Sequence, residues 1–260
     1  MTRITGARER ARSEITSAIK DEARRQLAEE GAARLSLRAV ARALGMASSA
    51  LYRYFPSRDD LLTALIIDAY DAVGQAAESA LADAPPAASP LARWQAVCHS
   101  VRAWALAHPH EYGLIYGSPV PGYAAPQATT GPAARVARTL ITVVRDAREA
   151  GTLTPPPADG RDAGPPPALR EDAERLVAEL DVPLPALLMA DLVACWAQLF
   201  GLITFEVFGQ FHRVVDARAE FFDRAATALA LGLGVPGDPL PAAEAPDQPG
   251  AADASSSEGS

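Results

Sequence analysis

Residues 36–60 read SLRAVARALGMASSALYRYFPSRDD, and the fold is decided there. Leu37, Val40, Ala41 and Leu44 recur at helical spacing, so one face of a short helix is apolar. Ser36 stands immediately before that run, where a hydroxyl can accept from an unpaired backbone N–H. Gly45 follows it, suited to the left-handed conformation that ends a helix. Ser48 or Ser49 can cap a second helix, Ala50 to Phe55, whose inward stripe is Leu51 and Phe55. Ser48, Ser49, Tyr52 and Arg53 are left to face outward. Pro56 stops this helix, and Ser57-Arg-Asp-Asp60 has the spacing of a capping box for the next. Two short helices across a tight turn, the second with a polar outer face, describe a helix-turn-helix that reads a DNA major groove.

Charge agrees with that once it is divided. Residues 1–58 hold twelve arginines and lysines against six acids, a balance of +6, and the whole chain carries −8, which leaves −14 for the remainder. A basic head on an acidic body confines a polyanion to one end of the molecule. Cys98 and Cys195 are too few and too far apart for a disulfide framework or a zinc knuckle. They are expected as reduced, buried thiols of a cytoplasmic protein. The N-terminus MTRITGARERARSEI lacks the apolar core of a signal peptide. The longest uncharged apolar run, Leu192 to Phe205, is shorter than the ~20 residues a membrane span needs.

Outward from the motif, residues 1–12 are expected as a flexible basic arm, solvated or laid against DNA. Ser13 is expected to cap a first helix in which Ile15, Ile19, Ala23 and Leu27 repeat every four residues until Gly31. The three helices of residues 13–58 make a DNA-binding head too small to be stable alone. It should lean on a helix from Asp59 to about Leu81, which begins a helical ligand-binding and dimerisation domain spanning residues 59–233. The prolines of Ala84–Pro90 mark a linker. A helix from Leu91 to about His108 carries Trp94, Val97, Cys98 and Trp104. A further helix opens near Pro132 and closes at Gly151. Residues 152–168 are low-complexity and expected as a flexible loop. A charged helix, Leu169–Leu180, precedes one of about 186–210 that is apolar on nearly every side and so is expected to be buried all round. Residues 214–233 offer a last helix, and the Pro-, Ala- and Ser-rich 234–260 a disordered tail. The fold class is all-α.

At Ser36-Leu-Arg-x-Val-Ala, Leu44-Gly45-Met46, Ala50-Leu51-Tyr52-x-Tyr54-Phe55 and Ser57-Arg58-x-x-Leu61-Leu62, the chain resembles the tetracycline-repressor (TetR) family of bacterial regulators. Trp104-Ala-Leu-Ala-His108-Pro109 with Tyr112-x-Leu-Ile-Tyr-Gly117 is similar to the C-terminal domain of that family's Trp/His/Gly-containing (WHG-type) subgroup. The resemblance implies a homodimer joined through the helices of about 186–210 and 214–233, and release from DNA when a small molecule binds the body. It also implies base contacts from Ser48, Ser49, Ala50 and Arg53, and phosphate contacts from Ser36, Arg38, Tyr52, Tyr54 and Arg58. Ala47 stands where the family often has a serine or threonine cap. The small side chains at 48–50 leave Arg53 as the main base reader, able to pair with guanine for about 1–3 kcal/mol of discrimination. Tyr54 and Phe55 suit a core position as well as a contact, and Arg38 suits plain solvation.

In the body, Trp94, Cys98 and Val101 share one helix face, and Trp196 and Phe200 another. With Trp104, Tyr112 and Tyr116 they are the candidate lining of an apolar ligand pocket. For any one of them taken singly, ordinary core packing is the stronger reading. No cofactor or metal is expected: Pro109 disturbs His108-x-His110, which a helix would splay in any case. Gly117-Ser118-Pro119 lacks the nucleophile elbow. Gly232-x-Gly234-x-x-Gly237 matches a dinucleotide fingerprint literally but follows a helix, not a strand. The expected function is a repressor on a near-palindromic operator of double-stranded DNA, released by a small apolar effector. The alternatives are a ligand-independent activator or architectural DNA-binding protein, and a helical enzyme or carrier.

Overall fold

The structure, a computed structural model, describes residues 2–154 and 166–237 and has no strand among them. Helix α1, Thr2–Glu30, is followed by α2, Leu37–Ala43, and α3, Ser48–Leu51. Their apolar faces meet: Ile19, Ala23, Val40 and Leu51 form the head core, with Leu61, Leu62 and Leu65 supplied by α4, Arg58–Ala82. The same α4 then turns Ala69, Val73 and Ala77 into the core of the body. One helix therefore completes both cores, as its long apolar stripe predicts. Ser57 starts it, accepting from the Asp60 N–H at 3.1 Å while its hydroxyl donates to Asp60 Oδ2 at 2.7 Å.

The body continues with α5, Pro90–Ala107, α6, Pro109–Tyr116, a short α7, Thr130–Ala133, and α8, Arg135–Glu149. It closes with α9, Pro167–Leu180, α10, Ala186–Val207, and α11, Arg218–Gly232. Polar side chains fasten this packing. The Trp94 indole N–H donates to the Ala226 carbonyl at 3.0 Å, tying α5 to α11. The Tyr112 hydroxyl donates to the Phe200 carbonyl at 3.2 Å and lies 2.8 Å from Thr204 Oγ1, tying α6 to α10. Arg102 grips Glu206 with two bonds, of 2.7 and 2.6 Å, and Glu206 is only 8% exposed. Gly74 lies so close to Arg135 that a Cβ there would fall 2.7 Å from that side chain.

Several expectations change. Helix α1 begins at Thr2, not Ser13, because the run Ala7–Arg12 is rich in good helix formers and Ser13 falls inside the helix. The second motif helix is shorter than expected: Ser48–Leu51 is helical, and Tyr52–Tyr54 continue it as turns. Its cap position is Ala47, which has no side-chain acceptor, and Ser36 at the cap of α2 accepts no bond either. Gly45, at φ 64°, takes the left-handed conformation the turn requires.

Helix α10 is not buried all round. One side packs Leu199, Phe200 and Ile203 into the body, while Leu187 and Phe205 stand exposed. The helix is long and apolar enough by length and composition to cross a bilayer, yet only 33% of its most apolar window is buried within the chain. Residues 234–237 are also ordered, since the Thr154 N–H donates to the Gly234 carbonyl at 2.8 Å and Val235 is buried. The rest of the expected tail, 238–260, and residues 155–165 of the expected loop lie outside the described residues.

Candidate nucleic-acid interface and body cavity

Leu51 and Phe55 anchor α3 to the head core, and that anchoring turns the residues between and before them outward. Ser48, Ser49 and Arg53 are exposed, Ala50 is half-buried, and Tyr52 is 43% exposed. Arg38 is exposed on α2, with Arg42 one turn further along the same helix. Among the described residues, Arg38, Arg42 and Arg53 make no hydrogen bond or ion pair. Most arginines elsewhere in the fold are committed. Arg25, for instance, is forked between Glu22 and Glu29, and its bond holds the Glu22 carboxyl down at about 2.

Ser36, Arg38, Tyr52 and Arg58 line one shallow cleft beside the turn, so four residues expected to meet phosphate come together. Their availability differs. The Arg58 guanidinium points inward and donates to the Leu35 carbonyl at 3.2 Å and to those of Ala32 and Ala33 at 2.8 and 3.3 Å. It closes the turn between α1 and α2. Tyr54 is half-buried against the head core, with the Arg12 guanidinium 5.4 Å from its ring centre. Helix α1 thus places Arg12 at the edge of the motif. Arg42 is a candidate contact that sequence reasoning passed over, although its i+4 relation to Arg38 puts both on one side of α2.

Head and body are joined by charge. Asp68 of α4 receives Lys20 at 2.8 Å and Arg24 at 2.7 Å, and Arg24 also reaches Glu111 of α6 at 3.2 Å. No sequence spacing announces this junction, because its partners lie 44 to 87 residues apart.

The candidate pocket residues divide. Trp94, Cys98 and Val101 are fully buried in packed core, where burial pushes the Cys98 thiol up from its ordinary range. Trp104 is buried and stacks on His108 at 5.2 Å. Burial likewise raises the Tyr112 hydroxyl, to about 12. Tyr116 sits among Tyr70, Tyr112 and Phe200, its hydroxyl buried without a hydrogen-bond partner among the described residues. A cavity of about 350 Å³ does exist, but between α8, α9 and α10. Leu140 and Ile141, Leu176 and Leu180, and Met189 and Trp196 form its walls. Trp196 alone of the eight expected residues lines it. The others do not, because apolar helix positions carry the same signal whether they face a neighbour or a void.

Residues 19–65 match the family model "Bacterial regulatory proteins, tetR family", and residues 94–229 match "Tetracyclin repressor-like, C-terminal domain". The chain is 41% identical over 214 residues to the HTH-type transcriptional regulator Rv1816 of Mycobacterium tuberculosis, covering 79% of this chain and 86% of that one. The Mycobacterium bovis regulator Mb1846 matches equally. Among solved structures, regulatory protein SCO4313 superposes with a TM-score of 0.67 at 34% identity, over 85% of this chain and 97% of that one. RolR in complex with resorcinol shares the fold, with a TM-score of 0.50 at 16% identity over 90% of this chain and 98% of that one.

Proposed function

The chain belongs to the TetR family of DNA-binding transcription regulators, and on that premise we propose that it is a homodimeric repressor released from its operator by a small apolar molecule. The observation that carries the DNA reading is the set of uncommitted guanidinium groups, Arg38, Arg42 and Arg53, on an exposed helix-turn-helix whose other arginine, Arg58, is consumed structurally. Arg53 reads a base, with Tyr52 beside it. Ser48, Ser49 and Ala50 approach the groove without bulk. Arg38, Arg42, Ser36 and Arg12 meet phosphates, and Tyr54 supports Arg12. Arg58 holds the turn that presents them.

The homodimer rests on the outer faces of α10 and α11. Leu187, Phe205, Phe221 and Leu231 are exposed on those helices, and Val214, in the connection between them, is 72% exposed. Phe205, Phe211 and Phe221 also form a chain of edge contacts at 5.8 and 5.4 Å. An apolar surface of that extent on a water-facing protein calls for a partner, and a second copy of the same helices gives a closed two-fold pairing. Two heads then sit about one DNA turn apart and read a near-palindrome. The site of action is the cytoplasm.

The test is fluorescence anisotropy of the full chain on duplex DNA from its own upstream region. Specific binding is expected, weakening steeply with salt because phosphates supply much of the affinity. Binding that matches a scrambled duplex at every salt concentration refutes the reading.

A further inference from the structure

Helix α4 passes from the head core, at Leu65, to the body core, at Ala69, without a break. One helix between two cores is a rod on which the head can rock unless something else holds it. The ion pairs at Asp68 join the two as well, but long charged side chains in partial contact with water hold an angle loosely. Residues 117–126, which leave the end of α6, supply an apolar connection. They cross from the body to the head and come back. Leu114, Val120 and Tyr123 pack against the head core, and Val120 shares one crevice with Leu27 and Ala32 of the head. The return is closed by the buried Thr129, whose hydroxyl donates to the Pro126 carbonyl at 2.9 Å, and by α7, which packs on α4.

Val120-Pro121-Gly122-Tyr123 is a tight turn. The Tyr123 N–H donates to the Val120 carbonyl at 3.1 Å, Pro121 presets the first central position, and Gly122 takes φ 76° at the second. The turn sets the side chains of Val120 and Tyr123 together against the head. The Tyr123 hydroxyl then lies 2.9 Å from Thr63 Oγ1, while Tyr70 donates to the Ile115 carbonyl at 3.3 Å. Thr63 and Tyr70 are two helical turns apart, so they share one face of α4. They stand on either side of its passage from one core to the other. We infer that residues 117–126 are a strap that fixes the tilt of the DNA-reading head on the body, with Val120 and Tyr123 as its positioning residues. Both act through the head, so that the two heads of a dimer meet their half-sites at one separation. That consequence rests on the DNA-binding dimer proposed above; the strap does not.

The test uses the full chain spin-labelled at Arg34→Cys in the head and Ala150→Cys beyond α8, both exposed positions. Labelled chain is diluted into excess unlabelled chain, so the distance within one chain is read whether or not chains pair. Cys98 and Cys195 are buried and stay unlabelled. Pulsed dipolar spectroscopy is expected to give one narrow distance, and a distribution about twofold wider when Val120→Ala is joined to Tyr123→Ala. Anisotropy is then read on the selected DNA site with its half-sites moved closer or farther by one and two base pairs. The chain with its strap intact is expected to prefer one spacing sharply. The double variant is expected to bind that spacing about three- to tenfold more weakly, the factor by which the competent tilt is depopulated, while the other spacings change less than about twofold. Gly122→Val has open space for its side chain but an unfavourable φ, and is expected to act in the same direction. Gly122→Asn, which tolerates that φ, is expected to behave as the parent chain. The inference is overturned if the double variant keeps the narrow distance, or if it loses affinity in equal proportion at every spacing, as plain destabilisation would give. It is overturned too if Gly122→Asn behaves like Gly122→Val. A parent chain with no preferred spacing, beside a double variant whose distance broadens, refutes the two-fold DNA reading and leaves the strap standing.

Discussion

Arg53 and Arg58 sit five residues apart in one motif, yet their side chains do opposite things. Arg53 is exposed and uncommitted, so Arg53→Ala is expected to remove roughly tenfold or more of sequence-specific DNA affinity, the scale of one lost base pairing. Its unfolding midpoint should hold, since surface changes away from packing cost within about 0.5 kcal/mol. Paired anisotropy and urea titrations check both halves. Arg58→Ala is expected to show the reverse order, destabilising the chain by about 1–3 kcal/mol as the Ala32, Ala33 and Leu35 carbonyls lose their donor. Arg58→Lys should not restore it, because one ammonium cannot span that fork. Spacing alone marks both residues as basic positions of the motif, Arg53 as the x of L-Y-x-Y-F and Arg58 just beyond it. It cannot separate them, because the carbonyls that claim Arg58 lie 23 to 26 residues upstream. The apolar positions were far more legible: Leu51, Phe55, Leu61 and Leu62 are buried where their periodicity puts them.

Helices here are joined by a few charged clamps as well as by apolar faces. Glu78 of α4 is held by Arg135 of α8 at 2.6 and 2.9 Å, and the guanidinium keeps its carboxyl below the ordinary value of 4.5. A carboxyl depressed in the folded chain adds stability above its unfolded pKa and loses it as pH falls through the folded one. Glu78→Gln is therefore expected to flatten the loss of stability below about pH 4.5, measured by urea unfolding at stepped pH. Arg102 and Glu206 join α5 to α10 with both side chains largely buried. Arg102→Met is expected to cost about 3–5 kcal/mol because it strands the Glu206 charge, and Arg102→Met with Glu206→Leu should recover most of it. Denaturant unfolding of the single and double variants decides this. Element identities followed from sequence because Pro, Gly and the 3.6-residue period punctuate the chain. The ends were less legible: α1 extends back to Thr2 because nothing in Ala7–Arg12 stops a helix. The clamps were not legible at all, since Glu206 looks from its neighbours like the polar end of an apolar run.

For the whole molecule, the apolar period of α10 does not say whether a neighbour belongs to the same chain or to another. The sequence therefore suggested a helix buried on every side, whereas one face is buried and the other is bare in a single chain. The cavity was hidden for a related reason, since a void is an absence of atoms and leaves no mark on residue pattern. Phe205, 51% exposed, is placed to test the pairing. Phe205→Glu is expected to convert the dimer to monomer in sedimentation velocity, with helical content retained, and to weaken operator binding with it. A dimer that survives Phe205→Glu joined to Phe221→Glu places the interface elsewhere. In the proposed dimer, the +6 head and −14 remainder supply the polarity of the assembly, and its two-fold symmetry supplies the form of the DNA site. The most direct measurement is selection from random duplexes with the full-length chain, repeated with Arg53→Ala. The predicted result is an enriched two-fold symmetric site with half-sites about one turn of DNA apart, lost in the variant. No enrichment, or an asymmetric site bound equally by Arg53→Ala, contradicts the account.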